Sequence, residues 1–210
     1  MSDTIIHAPF WTGIDEVPEV YPWLSKYEQC EVLIIGGGNA GALAAYRFAL
    51  GGVDTVIISR SPMGFGAAAS STGIMEYDNG LSLANLGKVI GKGDAVRCFQ
   101  LFSEALDKVE EICLTLPPEV HFSRRDSLNF SSEEEDEDLF HTEYLMRRHN
   151  DFDVDYVEQS NTREDYSFPV RAGILSKGLA AELDPYFFVQ ALLAKAVEHG
   201  CRVYENTAVT

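Results

Sequence analysis

The sequence has little positive charge and no long apolar run. Its 210 residues include 16 Lys and Arg against 33 Asp and Glu, which gives a formal net charge of −17 at pH 7. This charge repels phosphate backbones and anionic lipid headgroups, so neither a nucleic acid nor a membrane surface is expected as a partner. No apolar stretch approaches the roughly 18 residues that span a bilayer, so no transmembrane segment is predicted.

Cysteine is also scarce, and the four cysteines form no CxxC pair. They are Cys30, Cys98, Cys113 and Cys201. This spacing predicts neither a disulfide framework nor a zinc ribbon, and we expect reduced thiols and no metal site. The chain does not open with a positively charged stretch followed by an apolar run, as a secretory leader would. These features predict a soluble, cytoplasmic protein.

A βαβ unit is predicted after residues 1–29, an aromatic and proline-punctuated N-terminal arm. Cys30–Ile35 ends in an apolar run that is typical of a parallel strand covered on both faces. Asn39–Leu50 has the spacing of a helix and ends at glycine. Thr55–Ile58 is a second strand, rich in β-branched residues, which closes the unit.

The rest of the chain alternates between helices and short strands. Further helices are predicted at Leu81–Ile90, Asp94–Leu116 and Pro185–His199, and further strands at Ser127–Phe130, Phe152–Val157 and Cys201–Tyr204. Asp184 is the expected N-cap of the last helix. The acidic run Glu133–Asp138 is predicted to form the first turn of another helix, capped by Ser131 or Ser132, and to bind no metal.

The sequence Gly-Gly-Gly-Asn-Ala-Gly after the first strand satisfies the pattern G-x-G-x-x-G. Gly36 allows a tight turn, Gly38 lets the backbone approach a pyrophosphate, and Gly41 lets the helix and strand pack closely. Asn39 and Ala40 lie at the helix N-terminus, which supplies partial positive charge and free N–H groups. We therefore predict a dinucleotide site at these five residues.

The end of the second strand leaves the choice of dinucleotide open. An acid commonly binds the ribose hydroxyls there, but this sequence has Ser59, eighteen residues beyond Gly41. A serine hydroxyl can still bond a ribose oxygen, more weakly than a carboxylate. The next residue, Arg60, could accept the 2′-phosphate of NADP, so an NADP-dependent reductase is the alternative interpretation.

A stretch of small residues, Gly64–Thr72, lets another backbone or a ligand come close. With Glu31–Gly41 and Ile57–Ser61, it resembles the N-terminal half of the FAD-dependent D-amino-acid oxidase superfamily. That superfamily includes glycine and sarcosine oxidases and bacterial D-amino-acid dehydrogenases, and its small-residue loop runs beside the pyrophosphate towards the flavin. The resemblance assigns FAD contacts in this loop to Gly66, Ser70, Ser71 and Thr72.

The resemblance continues at Glu182–Tyr186 and Gly200–Val209, which are similar to the family segment that returns to the FAD domain. Backbone groups near Val209 would there meet the adenine. The implied fold is α/β, a Rossmann-like FAD-binding domain with a parallel sheet and helices, holding part of an inserted α+β substrate domain. The expected boundaries are 30–120 for the first FAD-binding segment, 121–175 for the partial substrate domain and 176–210 for the return segment.

The resemblance implies an FAD-dependent oxidoreductase that oxidises a C–N bond of an amino acid or amine to an imine by hydride transfer to the flavin. Family members continue beyond this length, so the chain is expected to be a truncated fragment whose partners are the substrate and an electron acceptor or a missing C-terminal half. A non-catalytic FAD-domain fragment is a further alternative. No catalytic residue is assigned, and the histidines considered are expected to be surface or packed residues: His121, His141, His149 and His199.

Overall fold

A computed structural model describes residues 9–14, 20–78, 80–158 and 166–209. The elements in chain order are β1 (Val32–Ile35), α1 (Asn39–Leu50), β2 (Thr55–Ile58), β3 (Ile74–Glu76), α2 (Leu83–Ile90), α3 (Lys92–Cys113), β4 (Ser123–Ser131), α4 (Glu137–His149), β5 (Val154–Glu158), β6 (Ala172–Glu182), α5 (Pro185–Glu198) and β7 (Arg202–Tyr204). Among the helices of these described residues, none combines the length and apolarity needed to cross a bilayer.

The chain divides into two compact units. The first contains the described residues up to Gly73, residues 113–121, and those from Leu183 onward; the second contains 74–112 and 122–182. The expected boundaries differ from this division, because residues 74–112 and 176–182 group with the second unit. The reason is strand pairing: β3 and β4 both pair with β6.

The first unit is built on a parallel sheet in the order β1-β2-β7, and α1 packs against α5. All four residues of β2 are buried. The prediction that β1 is covered on both faces is wrong for the described residues, since β1 lies at a sheet edge and Leu33 and Ile35 are 51% and 66% exposed. An apolar run therefore indicated the strand correctly but not its burial.

The start of α5 follows from its first residues. Asp184 Oδ1 accepts hydrogen bonds from the backbone N–H groups of Tyr186 and Phe187, both at 2.8 Å, and Pro185 occupies the first helical position. This confirms the predicted N-cap. The middle of the helix is buried, including Leu192 and Leu193, so α5 forms much of the core of this unit.

The second unit contains an antiparallel sheet with β6 at its centre. β4 pairs along one side of β6, while β5 and β3 pair along the other. No strand was predicted over Ala172–Glu182, because Ser176, Lys177 and Gly178 interrupt its apolar pattern. The tertiary pairing on both sides determines this strand more than its local sequence does.

The acidic run is divided between two elements. Glu134–Asp136 forms a short 3-10 turn, and α4 begins at Glu137 with Asp136 as its N-cap. The predicted cap by Ser131 or Ser132 is wrong, because the Ser131 hydroxyl instead bonds the turn, accepting from Glu133 N–H and donating to Asp136. The predicted helix start is therefore displaced towards the C-terminus.

A buried cation lies in the core of the second unit. Arg147 is fully buried, and its guanidinium donates to Asp78 Oδ2 at 2.8 Å, to Glu143 Oε1 at 2.7 Å and to the Tyr77 hydroxyl at 2.7 Å. The same group lies 5.3 Å from the centre of the Phe99 ring. Since Asp78 and Glu143 are also buried, each charge depends on the others for its hydrogen bonds.

Glu143 also connects this cluster to the start of α2. Its carboxylate accepts from the backbone N–H groups of Leu83 and Ala84 at 2.7 and 2.8 Å, and from the Ser82 hydroxyl. Burial alone would raise the pKa of Glu143, but the hydrogen bonds from Ala84 and Arg147 outweigh it and hold the pKa below the usual 4.5. The ionised carboxylate is therefore the form that stabilises the fold.

Replacing Arg147 by Met tests this cluster. The variant leaves two acids buried without their cation, and we expect it to lose about 3–5 kcal/mol of unfolding free energy, measured by urea denaturation. The matched control is Arg148→Met at the neighbouring exposed position, for which we expect a change of about 0.5 kcal/mol or less. Equal losses in the two variants would contradict the assigned role of the cluster.

A pH series tests Glu143 separately. Because the folded-state pKa lies below the ordinary value, its contribution is fully present above pH 4.5 and is lost as pH falls through the folded-state pKa. We expect the wild type to be more stable than Glu143→Gln at neutral pH, with the difference shrinking in acid. A difference that stays constant below pH 4.5 would show that the ionised carboxylate is not the stabilising form.

Candidate dinucleotide-binding site

An open cleft of about 580 Å³ lies in the first unit, where β1 and β2 end. Of the residues predicted to contact a dinucleotide, the structure brings seven to its wall: Gly36, Gly38, Asn39, Ser59, Arg60, Gly66 and Val209. Parallel strands end at the same edge of a sheet, and ligands commonly bind there in open α/β folds. The cleft therefore lies where the glycine motif requires it.

The glycine turn brings the helix close to the strand. Gly36 has a φ of +120°, and its N–H donates to the Ile58 carbonyl at 2.8 Å. A Cβ on Gly41 would overlap the carbonyl oxygen of Gly36. Only glycine at position 41 allows this approach, so Gly41 acts through packing and does not line the cleft.

The N-terminus of α1 suits an anion. Its N-cap residue, Gly38, provides no side-chain cap, and the first turn contains no acid. A Cβ built on Gly38 meets open space, so the backbone faces the cleft directly. Asn39 Oδ1 is buried with no hydrogen-bond partner among the described residues, which leaves a polar atom for a ligand to satisfy. These features fit the phosphates and hydroxyls of a dinucleotide.

Ser59 and Arg60 lie together at the mouth of the cleft. The Ser59 carbonyl accepts a hydrogen bond from the Thr207 N–H at 2.8 Å, and the Ser59 N–H donates to the Tyr204 carbonyl at 2.9 Å. Its hydroxyl accepts from Ser61 N–H at 3.3 Å. Arg60 is exposed and makes no ion pair with the residues that the structure describes. Both side chains are available to the adenosine half of a dinucleotide.

Part of the predicted set lies away from the cleft. Ala40 and Gly41 lie in the first turn of α1 but do not line the cleft, and Ser70, Ser71 and Thr72, at the C-terminal end of the small-residue loop, are exposed and do not line it either. The Ser71 carbonyl instead accepts a hydrogen bond from the Trp11 indole at 2.7 Å. Their direct contact with a cofactor stays a prediction.

Several lining residues were not predicted as contacts. They are Ile35, Gly37, Ile58, Ser61, Pro62, Gly64, Phe65, Ala67, Ala68, Thr207 and Ala208. Seven of these eleven adjoin a predicted residue, so extending each prediction by one position would have found those seven, but not Pro62, Gly64, Ala68 or Thr207. The histidines considered above are all exposed, and the described residues contain no group of three potential metal ligands.

Comparison with known proteins identifies the dinucleotide. The profile of the family described as DAO, FAD dependent oxidoreductase, matches residues 31–210. The chain belongs to this FAD-dependent oxidoreductase family. Its cofactor is FAD, as inferred from the loop after β2, and the NADP alternative based on Arg60 is set aside. The resemblance stated from the sequence is thereby confirmed.

Individual relatives are distant and longer. A Bacillus subtilis (strain 168) protein named as a Rieske 2Fe-2S iron-sulfur protein, YhfW, is 22% identical over 200 residues, covering 94% of this chain and 38% of its own length. The structure of L-α-glycerophosphate oxidase from Mycoplasma pneumoniae with FAD bound has a TM-score of 0.70 at 16% identity, covering 88% of this chain and 46% of that one.

Glycine oxidase from Geobacillus kaustophilus has a TM-score of 0.62 at 18% identity, over 84% of this chain and 46% of the oxidase. These similarities confirm the α/β, Rossmann-like FAD-binding fold. The chain spans less than half the length of each of these relatives.

Two glycine variants separate the binding role of the turn from its packing role. Gly38→Ala places a methyl in open space at an ordinary φ of −92°, so we expect the unfolding free energy to change by about 1 kcal/mol or less. FAD affinity, measured by flavin fluorescence titration, should fall about tenfold or more, because the methyl fills the space through which the pyrophosphate approaches the backbone.

Gly41→Ala is the matched comparison. Its methyl overlaps the Gly36 carbonyl, so we expect it to destabilise the fold by about 1–3 kcal/mol. If Gly38→Ala binds FAD as tightly as wild type, the backbone at Gly38 is not the phosphate contact.

Proposed function

We propose that this flavoprotein oxidises a C–N bond of an amino acid or amine to an imine, with FAD held in the cleft of the first unit. The observation that carries the proposal is the convergence of the glycine turn, the small-residue loop and Thr207–Val209 on one cleft. Similarity to glycine oxidase favours an amino acid or amine as substrate.

The proposed contacts divide between the pyrophosphate of the cofactor and its adenosine. Gly36 makes the turn, and Gly38 with the N-terminus of α1 holds the pyrophosphate, since the N–H groups there have no partner within the helix and no acid opposes the anion. Ser59 and Arg60 bind the adenosine side, where Val209 offers backbone groups. FAD supplies the hydride acceptor when it is bound, and the protein supplies position and electrostatics.

We infer that the loop from Gly64 to Ala68 forms the wall on the flavin side. Its residues are small apart from Phe65, which is half exposed. We further propose that the second unit is part of the substrate domain, and we assign no catalytic residue within it. The cysteines are free thiols, which supports a reducing compartment, the cytoplasm, as the proposed location.

Titration of the purified chain with FAD and with NADPH tests cofactor choice. We expect FAD to give a saturable change in flavin fluorescence and to raise the melting temperature, because ligand binding to the folded state alone stabilises it. NADPH at the same concentration should leave the melting temperature unchanged. Stabilisation by NADPH without any binding of FAD would contradict the proposal.

Anaerobic mixing with candidate substrates then tests the reaction. Bleaching of the oxidised-flavin absorption by an amino acid or amine, but not by glycerol 3-phosphate, is the expected result. Glycerol 3-phosphate is the informative comparison because a glycerophosphate oxidase shares this fold. Bleaching by glycerol 3-phosphate alone would contradict C–N oxidation. If the FAD complex is bleached by none of these compounds, the non-catalytic alternative replaces an active chain.

A further inference from the structure

Two buried polar side chains hold Met63, in the loop that follows β2. The Met63 N–H donates to Glu205 Oε1 at 2.6 Å, and the Met63 carbonyl accepts from Gln190 Nε2 at 2.7 Å. Met63 is fully buried, while Glu205 and Gln190 are 4% and 2% exposed. We call these three residues the Met63 clamp.

The clamp leaves the loop little freedom to move. The N–H of Gly64 donates to the Gly37 carbonyl at 2.7 Å, which ties the loop to the glycine turn. A Cβ on Gly37 would overlap the Met63 sulfur, and a Cβ on Gly64 would lie 2.9 Å from the Tyr186 ring. Gly37 is therefore packed directly against Met63, and Gly64 against Tyr186.

The two polar side chains come from separate elements of the first unit. Gln190 lies in α5, and Glu205 directly follows β7. Glu205 is itself fixed, because its N–H donates to the Pro22 carbonyl at 3.0 Å and its carbonyl accepts from the Thr207 hydroxyl at 2.8 Å. The loop is therefore hydrogen-bonded both to α5 and to the segment after β7 that lines the cleft.

Burying a carboxylate and an amide is costly unless their hydrogen bonds are made, whereas apolar side chains would fill the same space without that cost. Polar groups add direction, because each fixes one backbone atom of Met63. We propose that Glu205 and Gln190 are positioning residues for the FAD site, holding the loop so that Gly64–Ala68 forms the cleft wall. This inference rests on the proposed placement of FAD in the cleft.

The test compares Glu205→Leu with Glu205→Gln in the full chain. Gln keeps a carbonyl oxygen that can accept from Met63, so we expect its FAD dissociation constant to stay within about threefold of wild type. Leu removes the acceptor and leaves a buried N–H unpaired, so the constant should rise about tenfold or more. Glu198→Gln, at an exposed position on α5, is the control that should match wild type.

Two further readouts separate positioning from general stability. The visible circular dichroism of bound FAD should change in Glu205→Leu and be restored in Glu205→Gln. In the FAD-free chain, the Met63 and Gly64 amides should exchange hydrogen faster in the Leu variant alone. Gln190→Leu removes the donor to the Met63 carbonyl, so we expect it to weaken FAD binding and to change the circular dichroism as Glu205→Leu does. It replaces Glu205→Leu in the test if that variant does not fold.

The possible failures are distinguishable. If wild type binds no FAD, the proposed function fails, and the exchange data on the FAD-free chain still report whether Glu205 holds the loop. If wild type binds FAD and both Leu variants bind it equally well with an unchanged spectrum, the positioning role is overturned. Loss of FAD by Glu205→Gln as complete as that by Glu205→Leu also overturns it, because the acceptor would not be the relevant feature.

Discussion

The candidate site depends on the close approach of α1 to the end of β1. Because position 41 is glycine, the Gly36 carbonyl can occupy the space that a side chain there would fill. The helix can therefore begin directly beside the strand. Its N-terminus then points its N–H groups into the space beyond the sheet edge. Because β2 and β7 are parallel to β1, their following segments reach the same edge, and the cleft walls come from three separate stretches of chain.

Buried acids have a common use in a chain that carries a net charge of −17. Glu143 accepts from backbone N–H groups at the start of α2, Asp184 from those at the start of α5, and Glu205 from Met63. Each stabilises a segment whose donors have no partner within their own element. The six acids of residues 133–138 have a different setting, at a turn and a helix start, and these six bear little on the ligand.

Local sequence was sufficient for the elements whose signals are local. The βαβ unit and the Asp184-Pro185 start of α5 depend on glycine conformation, capping and apolar spacing, all of which act within a few residues. β6 was not predicted, because its pairing with β3, β4 and β5 compensates for a polar centre. The glycine motif predicted the residues at the start of α1 that line the cleft. The Met63 clamp joins Met63 to residues more than a hundred positions away, which no local pattern can indicate.

A crystal structure of the chain with FAD would test the central claim most directly, because it locates the pyrophosphate. The account predicts pyrophosphate oxygens within hydrogen-bonding distance of the backbone N–H groups at the start of α1, with the adenosine beside Ser59 and Val209 and the loop from Gly64 to Ala68 along the flavin side. A pyrophosphate bound elsewhere on the first unit, with the α1 N-terminus facing solvent, would contradict it.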